Sequence, residues 1–287
     1  MIKRINILLI FLFNYFKFFF NFFYFKYLIR DLSDFSPSGG SIINRGRSIV
    51  ANLQNLNKSF LQTLSLLGLD KPDDPSEIYI NNKANNNLLT YKKAFENNKS
   101  DKANNKVFCN IFDYFFLNKV HTIQKVLEIG IGSKDIKIPS NHMKGSLSGG
   151  SLRGLASFFP NAIIHGVDID EKTFFQEERI KCFKLNQLEL DSFNSNRNLF
   201  TKYDVIIDDG VHLVSSNLLT LNFALDRLEE NGFLIIEDIP PSSAYLAFIL
   251  KGLLNYKGYK VLVFDQGTPA LGEGYCLVLR QKTKTNN

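Results

Sequence analysis

From residue 125 onward, short continuous apolar runs alternate with stretches whose apolar positions recur every three to four residues. The runs predict strands at 125–129, 162–167, 179–184, 203–208, 232–237, 259–264 and 275–280. The longer period predicts helices near 150–158, 214–228 and 241–255. Such alternation argues for a mainly parallel sheet with helices on both faces. The last two strands, YKVLVFD and GYCLVLR, flank a short Gly/Pro loop. That loop is too short for a helical crossover, so these two strands should pair antiparallel. The expected fold is α/β, with seven strands ending in an antiparallel hairpin.

Upstream, Val107, Phe108, Ile111, Phe112, Phe115 and Phe116 mark an amphipathic helix leading into the strand at 125. Val50, Leu53, Leu56, Phe60, Leu64 and Leu67 predict another over 48–68, with Gly68 at its end. Between them, residues 71–104 are polar and Asn/Lys-rich, which reads as loop with weak helix. Residues 31–47 carry Pro37, Gly39, Gly40 and Gly46 among serines and read as a linker. Residues 5–29 are apolar and rich in Phe and Tyr, long enough to span a bilayer as a helix. Lys17 and Lys26 interrupt them, and no signal-peptide cleavage site follows. Three readings of this segment stand open: a membrane anchor or surface helix, a translated stretch upstream of the true start, or a helix docked on the globular part. The chain thus divides into an apolar segment 1–30, a linker and helical region 31–104, and a domain over 105–287.

Composition changes this picture little. An apolar fraction of 45% supports a real core. The net charge of +6 is mild, and its lysines are scattered without a basic block, which excludes a nucleic-acid footprint. Cys109, Cys182 and Cys276 are far apart and lack metal or redox spacing. They read as buried free thiols in a reducing compartment. The expected location is cytoplasmic, with 5–29 able to anchor the chain at the inner face of a membrane. Homo-oligomerisation is left open.

The candidate chemistry gathers at strand ends. Lys125–Gly132, KVLEIGIG, is a buried strand running into a glycine turn, with Glu128 just before it. Gly130 and Gly132 permit a sharp turn and close approach of a ligand. A dinucleotide fingerprint needs a third glycine opening the helix, and none stands there. Glu128 would repel a pyrophosphate and suits a cationic ligand. Asp168 ends the second strand, where acids accept hydrogen bonds from ribose hydroxyls. Gln187, after the third, lies where an adenine contact could arise. The fourth strand ends in Asp208-Asp209-Gly210-Val211-His212 and the fifth in Glu237-Asp238. Acids on neighbouring strands repel one another unless a cation neutralises them. A hard divalent ion such as Mg²⁺ suits oxygen ligands. His212 beside it could act as a general base.

These motifs, in this order, resemble the class I S-adenosylmethionine-dependent methyltransferases over roughly residues 105–281. Within that superfamily the chain is most similar to the metal-dependent sugar O-methyltransferases of macrolide biosynthesis and their bacterial relatives. The residues that carry this are Ile138-Pro139-Ser140-Asn141, Gly149-Gly150-Ser151-Leu152-Arg153, Phe159-Pro160-Asn161-Ala162, Asp208–His212 and Glu237-Asp238-Ile239. The resemblance implies a Rossmann-like fold and S-adenosylmethionine lined by Glu128, Gly130, Gly132, Asp168, Gln187 and Asp208. It implies Mg²⁺ on Asp209, Glu237 and Asp238, with His212 as the base. It also implies a one-step displacement at the sulfonium methyl by a hydroxyl of a sugar or glycosylated small molecule, a small-molecule or glycan acceptor. Asn186-Gln187 stands where relatives often have Asp-Gln, and the loop at His142-Met143-Lys144 departs from the pattern. The rival readings are another acceptor on the same fold (a phenol, a carboxylate or a lipid-linked glycan), an NAD enzyme, and a non-catalytic cofactor-binding protein.

Overall fold

Val126, Leu127 and Ile129 are almost wholly buried, because the strand they form, β1 (Lys125–Ile129), is covered on both faces. The computed structural model describes residues 58–74, 88–133, 149–199, 201–266 and 274–281. Around β1 lie β2 (Ile163–Asp168), β3 (Gln176–Glu177), β4 (Ile180–Lys184), β5 (Tyr203–Asp208), β6 (Leu228–Ile239), β7 (Lys260–Asp265) and β8 (Tyr275–Arg280). The sheet order is β3-β4-β2-β1-β5-β6-β8-β7. β4, β2, β1, β5 and β6 run parallel, and β8 is antiparallel to both β6 and β7. The seven expected strands and the closing hairpin are present. The eighth, β3, is a two-residue edge strand too short to leave a sequence pattern.

Register puts the strand ends level. Ile129 stands opposite Val167 of β2 and Asp208 of β5, and Asp208 stands opposite Ile236 of β6. One step further, the chain carries Gly130, Asp168, Asp209 and Glu237 along one edge. β6 pairs with β8 through a register shift between Ile236 and Ile239, so Glu237 and Asp238 lie in an irregularity of the ladder. Bulges of this kind re-aim side chains and terminate pairing.

From Tyr91 onward the α-helices among the described residues are α1 (Tyr91–Asn97), α2 (Lys106–Phe116), α3 (Gly150–Phe158), α4 (Leu190–Ser195), α5 (Val214–Arg227) and α6 (Ala244–Tyr256). Asn105 caps α2 by accepting from the amides of Val107 and Phe108. α2 buries Phe108, Ile111, Phe112 and Phe116, the apolar stripe expected of it.

Residues 91–104, in the stretch read as loop with weak helix, form α1 and a single 3₁₀ turn, Asp101–Asn104. Tyr91 stacks on Phe95 and packs against Phe112 and Phe158. Gly154 of α3 lies against the Phe95 ring, where a Cβ would come within 2.8 Å, so α1 and α3 meet at close range. Further upstream, the helix over 58–66 ends as predicted at Gly68, whose φ is +68°. The Gly68 amide donates to Ser65 and the Leu69 amide to Leu64, a Schellman closure. Leu64 is buried, whereas Leu67 is 46% exposed, because it lies in the turn past the helix. Residues 48–57 and the apolar segment 5–29 lie outside the described residues. Among the described residues no helix is long and apolar enough to cross a membrane. The chain divides into two units, Met1–Phe60 and Leu61–Asn287, and β1–β8 all belong to the second.

Candidate functional site

The site is built on the glycine turn after β1. Gly130 and Gly132 have φ of +97° and +90°. A Cβ on Gly130 would stand 2.1 Å from the Asp209 carbonyl oxygen, so only glycine allows this approach. The Gly130 amide donates to Val167 and the Asp209 amide to Ile129, which ties the turn to both flanking strands. Asp168 closes it: one carboxylate oxygen accepts from the amides of Ile131 (2.9 Å) and Gly132 (3.2 Å), the other from Asp170 (2.9 Å). A carboxylate offers about four acceptor positions, so Asp168 keeps capacity for one more donor.

Two residues expected on the cofactor side also brace the loop that follows β5. Asp208 is fully buried and accepts from Gln187 Nε2 (2.6 Å), the Gly210 amide (3.2 Å) and Asn217 Nδ2 (3.1 Å). Burial nevertheless pushes its carboxyl up from the usual range. Gln187 donates also to Thr220 and accepts from the Val211 amide. These bonds brace the loop 208–212.

The acids at the ends of β1, β5 and β6 converge on a residue that the sequence reading passes over. The Lys102 ammonium lies 2.5 Å from Glu237 Oε2, 2.9 Å from Asp209 Oδ2 and 3.2 Å from Glu128 Oε1. Glu128 and Glu237 are wholly buried, and Lys102 is 9% exposed. Ser151 Oγ, from the Gly149–Arg153 motif, donates to the other Glu128 oxygen at 2.8 Å. Burial alone would lower the Lys102 pKa, but Asp209, Glu237 and Glu128 outweigh it and hold it well above the ordinary value. Burial pushes Glu237 up, against the pull of Lys102, with Asp209 and Asp238 adding to the rise. Several acids thus face one ammonium in a dry site, an arrangement that favours bound positive charge.

Beside this pair cluster is a second grouping. Ligand atoms of Asp209, His212 and Asp238 lie within 4.8 Å of one another. His212 Nε2 is 3.9 Å from Asp209 Oδ1, the oxygen that Lys102 does not hold. His212 and Asp238 have φ of +55° and +50°, left-handed backbone that costs energy for non-glycine residues. Strain at two of the three members of this grouping marks a site whose side-chain aim is imposed by the fold. The donor set is oxygen-rich, it carries excess negative charge, and Glu237 Oε1 and His212 Nδ1 have no hydrogen-bond partner among the described residues. These features fit a hard divalent cation.

The chain matches no family model. Over 128 residues it is 28% identical to mycinamicin VI 2''-O-methyltransferase of Micromonospora griseorubida, covering 45% of this chain and 30% of that protein. Over 115 residues it is 29% identical to demethylmacrocin O-methyltransferase of Streptomyces fradiae, covering 40% and 27%. The chain thus spans about a third or less of the length of the curated relatives it matches. Among solved structures it resembles the MycE methyltransferase of the mycinamycin biosynthetic pathway, in complex with Mg, SAH and mycinamycin VI. The TM-score is 0.53 at 21% identity, over 70% of this chain and 57% of that one.

The chain has a class I methyltransferase fold.

In this methyltransferase fold the matched motifs have separate duties. Gly149, with φ of +72°, caps α3 beneath the Phe175 ring, and Arg153 lies over that ring at 4.2 Å. Phe159 and Ala162 give their carbonyls to Arg179, which closes the end of α3. The motif Ile138–Asn141 and the loop at His142-Met143-Lys144 lie outside the described residues. The three cysteines are buried free thiols, as expected. Lys102 carried little sequence signal, since it is one lysine in an Asn/Lys-rich stretch. The spacing of Tyr91, Ala94 and Phe95 was the available hint that this stretch folds into the core.

Proposed function

We propose that this chain is an S-adenosylmethionine-dependent O-methyltransferase, assisted by Mg²⁺, that methylates a hydroxyl of a sugar or glycosylated small molecule. The observation that carries the reading is the meeting of Asp209, His212 and Asp238 at the carboxyl edge of a methyltransferase sheet, beside a left-handed glycine turn. The named relatives are O-methyltransferases of mycinamicin VI and demethylmacrocin, and another acts on a rhamnosyl tetracenomycin C.

S-adenosylmethionine would bring an electrophilic methyl group to the turn formed by Gly130 and Gly132, with Asp168 offering its remaining acceptor capacity to the ribose. Asp209, Glu237 and Asp238 would hold Mg²⁺. Bound there, the cation would supply charge stabilisation to a developing alkoxide, which a sugar hydroxyl needs because it is a weak acid. His212 takes the proton from the acceptor hydroxyl. Glu128, which accepts from Ser151 and pairs with Lys102, fixes the strand end beneath the turn. The remaining task of the protein is to hold acceptor and donor in line, which converts a bimolecular encounter into a positioned one.

The test is transfer of label from methyl-labelled S-adenosylmethionine to glycosylated small molecules with free sugar hydroxyls, with and without Mg²⁺. Transfer that requires Mg²⁺ and disappears in Asp209→Ala supports the reading. Transfer only to phenols or carboxylates moves the acceptor to another class. Cofactor binding with no transfer to any acceptor favours a non-catalytic role.

A further inference from the structure

We propose that Gln266 is a binding residue for the acceptor, its side-chain amide holding neighbouring hydroxyls of the sugar. The inference rests on the acceptor class proposed above and deepens it. It names a side chain at the same sheet edge that neither the cofactor nor the cation accounts for.

β8 runs antiparallel to both β6 and β7, so β6 and β7 point the same way and their carboxyl ends share one edge. Val126, Ile207, Ile235 and Phe264 belong to one core cluster. Two residues further along the same strands come Glu128, Asp209, Glu237 and Gln266. Side chains alternate along a strand, so these four follow one face of the sheet. Contact of Lys102 with the first three fixes that face. The backbone path from the acids to Gln266 is short. The Gln266 amide donates to the Gly274 carbonyl at 3.0 Å. A Cβ on Gly274 would stand 2.0 Å from the carbonyl oxygen of Ile239, the residue after Asp238. Two strand spacings, about 10 Å, therefore separate the ends of β6 and β7. A sugar ring with its hydroxyls bridges such a width.

The chemistry of the missing partner follows from the amide. The Gln266 side chain is only 4% exposed, yet neither Oε1 nor Nε2 has a hydrogen-bond partner among the described residues. Buried amides are almost always paired, so this one calls for a group that the fold does not supply. That group must accept from Nε2 and donate to Oε1. A metal ion cannot accept from an NH₂ group, and a sulfonium cannot either. The cofactor turn follows β1, four strands from β7 in the sheet. A hydroxyl both donates and accepts, and two adjacent hydroxyls meet both amide atoms together. The ligand so described is neutral and polyhydroxylated.

The test uses the full chain with methyl-labelled S-adenosylmethionine, Mg²⁺ and the p-nitrophenyl glycosides of L-rhamnose, D-glucose and D-galactose as acceptor probes. The side-chain amide resonances of Gln266 are assigned in the isotope-labelled protein by their loss in Gln266→Leu. A glycoside that accepts the methyl group should shift them, while those of Gln187, which is bonded within the fold, stay in place. Gln266→Leu should raise the KM for that glycoside by tenfold or more, with a smaller effect on kcat. It should leave the S-adenosylmethionine dissociation constant within twofold. Its thermal midpoint should equal or exceed that of the unsubstituted protein, since no bond of the fold is lost. Unmoved Gln266 resonances with all three glycosides mean a bound water only and overturn the inference, a result read on the unsubstituted protein. A lowered midpoint with unchanged KM also overturns it, by making the amide a brace of the fold. Methyl transfer with unmoved resonances keeps the proposed function and discards this role. Shifted resonances without transfer keep the binding role and overturn the methyltransferase reading.

Discussion

Gly130 and Asp209 meet backbone to backbone, and a methyl group on Gly130 would stand 2.1 Å from the Asp209 carbonyl oxygen. The turn that should receive the cofactor and the acid that should hold the cation are thus set against each other. Gly130→Ala strains a φ of +97° and forces the two loops apart. The expected loss is about 2–4 kcal/mol, visible as a lower thermal midpoint. An unchanged midpoint would contradict the packing described.

His212 should be separable from cofactor binding. It stands on the acidic side of the site, next to Asp209 and Asp238. His212→Ala should lower turnover by roughly 10²–10⁴-fold, the usual worth of a general base, with the S-adenosylmethionine dissociation constant nearly unchanged. Turnover at the unsubstituted rate would remove it from the chemistry.

Gln187 should behave as a strut. Gln187→Leu deletes the 2.6 Å bond to the buried Asp208 carboxylate and the acceptor for the Val211 amide. Leaving such groups unpaired costs about 1–3 kcal/mol. For a domain of this size that lowers the midpoint by roughly 2–4 °C per kcal/mol. Loss of cofactor affinity with unchanged stability would instead restore the adenine role.

The sheet was legible in the sequence because its strands are buried on both faces and leave continuous apolar runs. The order of acids at the strand ends was legible for the same reason, since register follows once the strands are placed. Lys102 was not. A lysine that reaches the core by its stem looks like any surface lysine in one dimension, and only packing of Tyr91 and Phe95 places the 3₁₀ turn beside β1. The hydrogen bonds that Asp208 and Gln187 make within the loop 208–212 were also hidden, because spacing alone does not show which neighbours a side chain bonds.

His165 gives a pH test independent of the site. It is buried in β2 and shares a 2.9 Å hydrogen bond with the Tyr203 hydroxyl. Burial, with smaller contributions from Lys125 and Lys181, lowers its pKa from 6.5 to about 4. A depressed base stabilises the fold fully above pH 6.5, and that stability is lost as pH falls toward 4. The loss is about 3 kcal/mol. His165→Asn keeps a partner for Tyr203 but does not titrate, so its unfolding free energy should fall less over this window in denaturant titrations. Identical pH profiles for the two proteins would contradict a buried neutral histidine.

The most direct measurement is calorimetric titration of the full chain with S-adenosylmethionine, with and without Mg²⁺. The expected result is saturable binding in the micromolar range, and an additional Mg²⁺-dependent heat that is lost in Asp209→Ala. No binding of S-adenosylmethionine under either condition would contradict it, leaving the fold without the cofactor on which the proposed function depends.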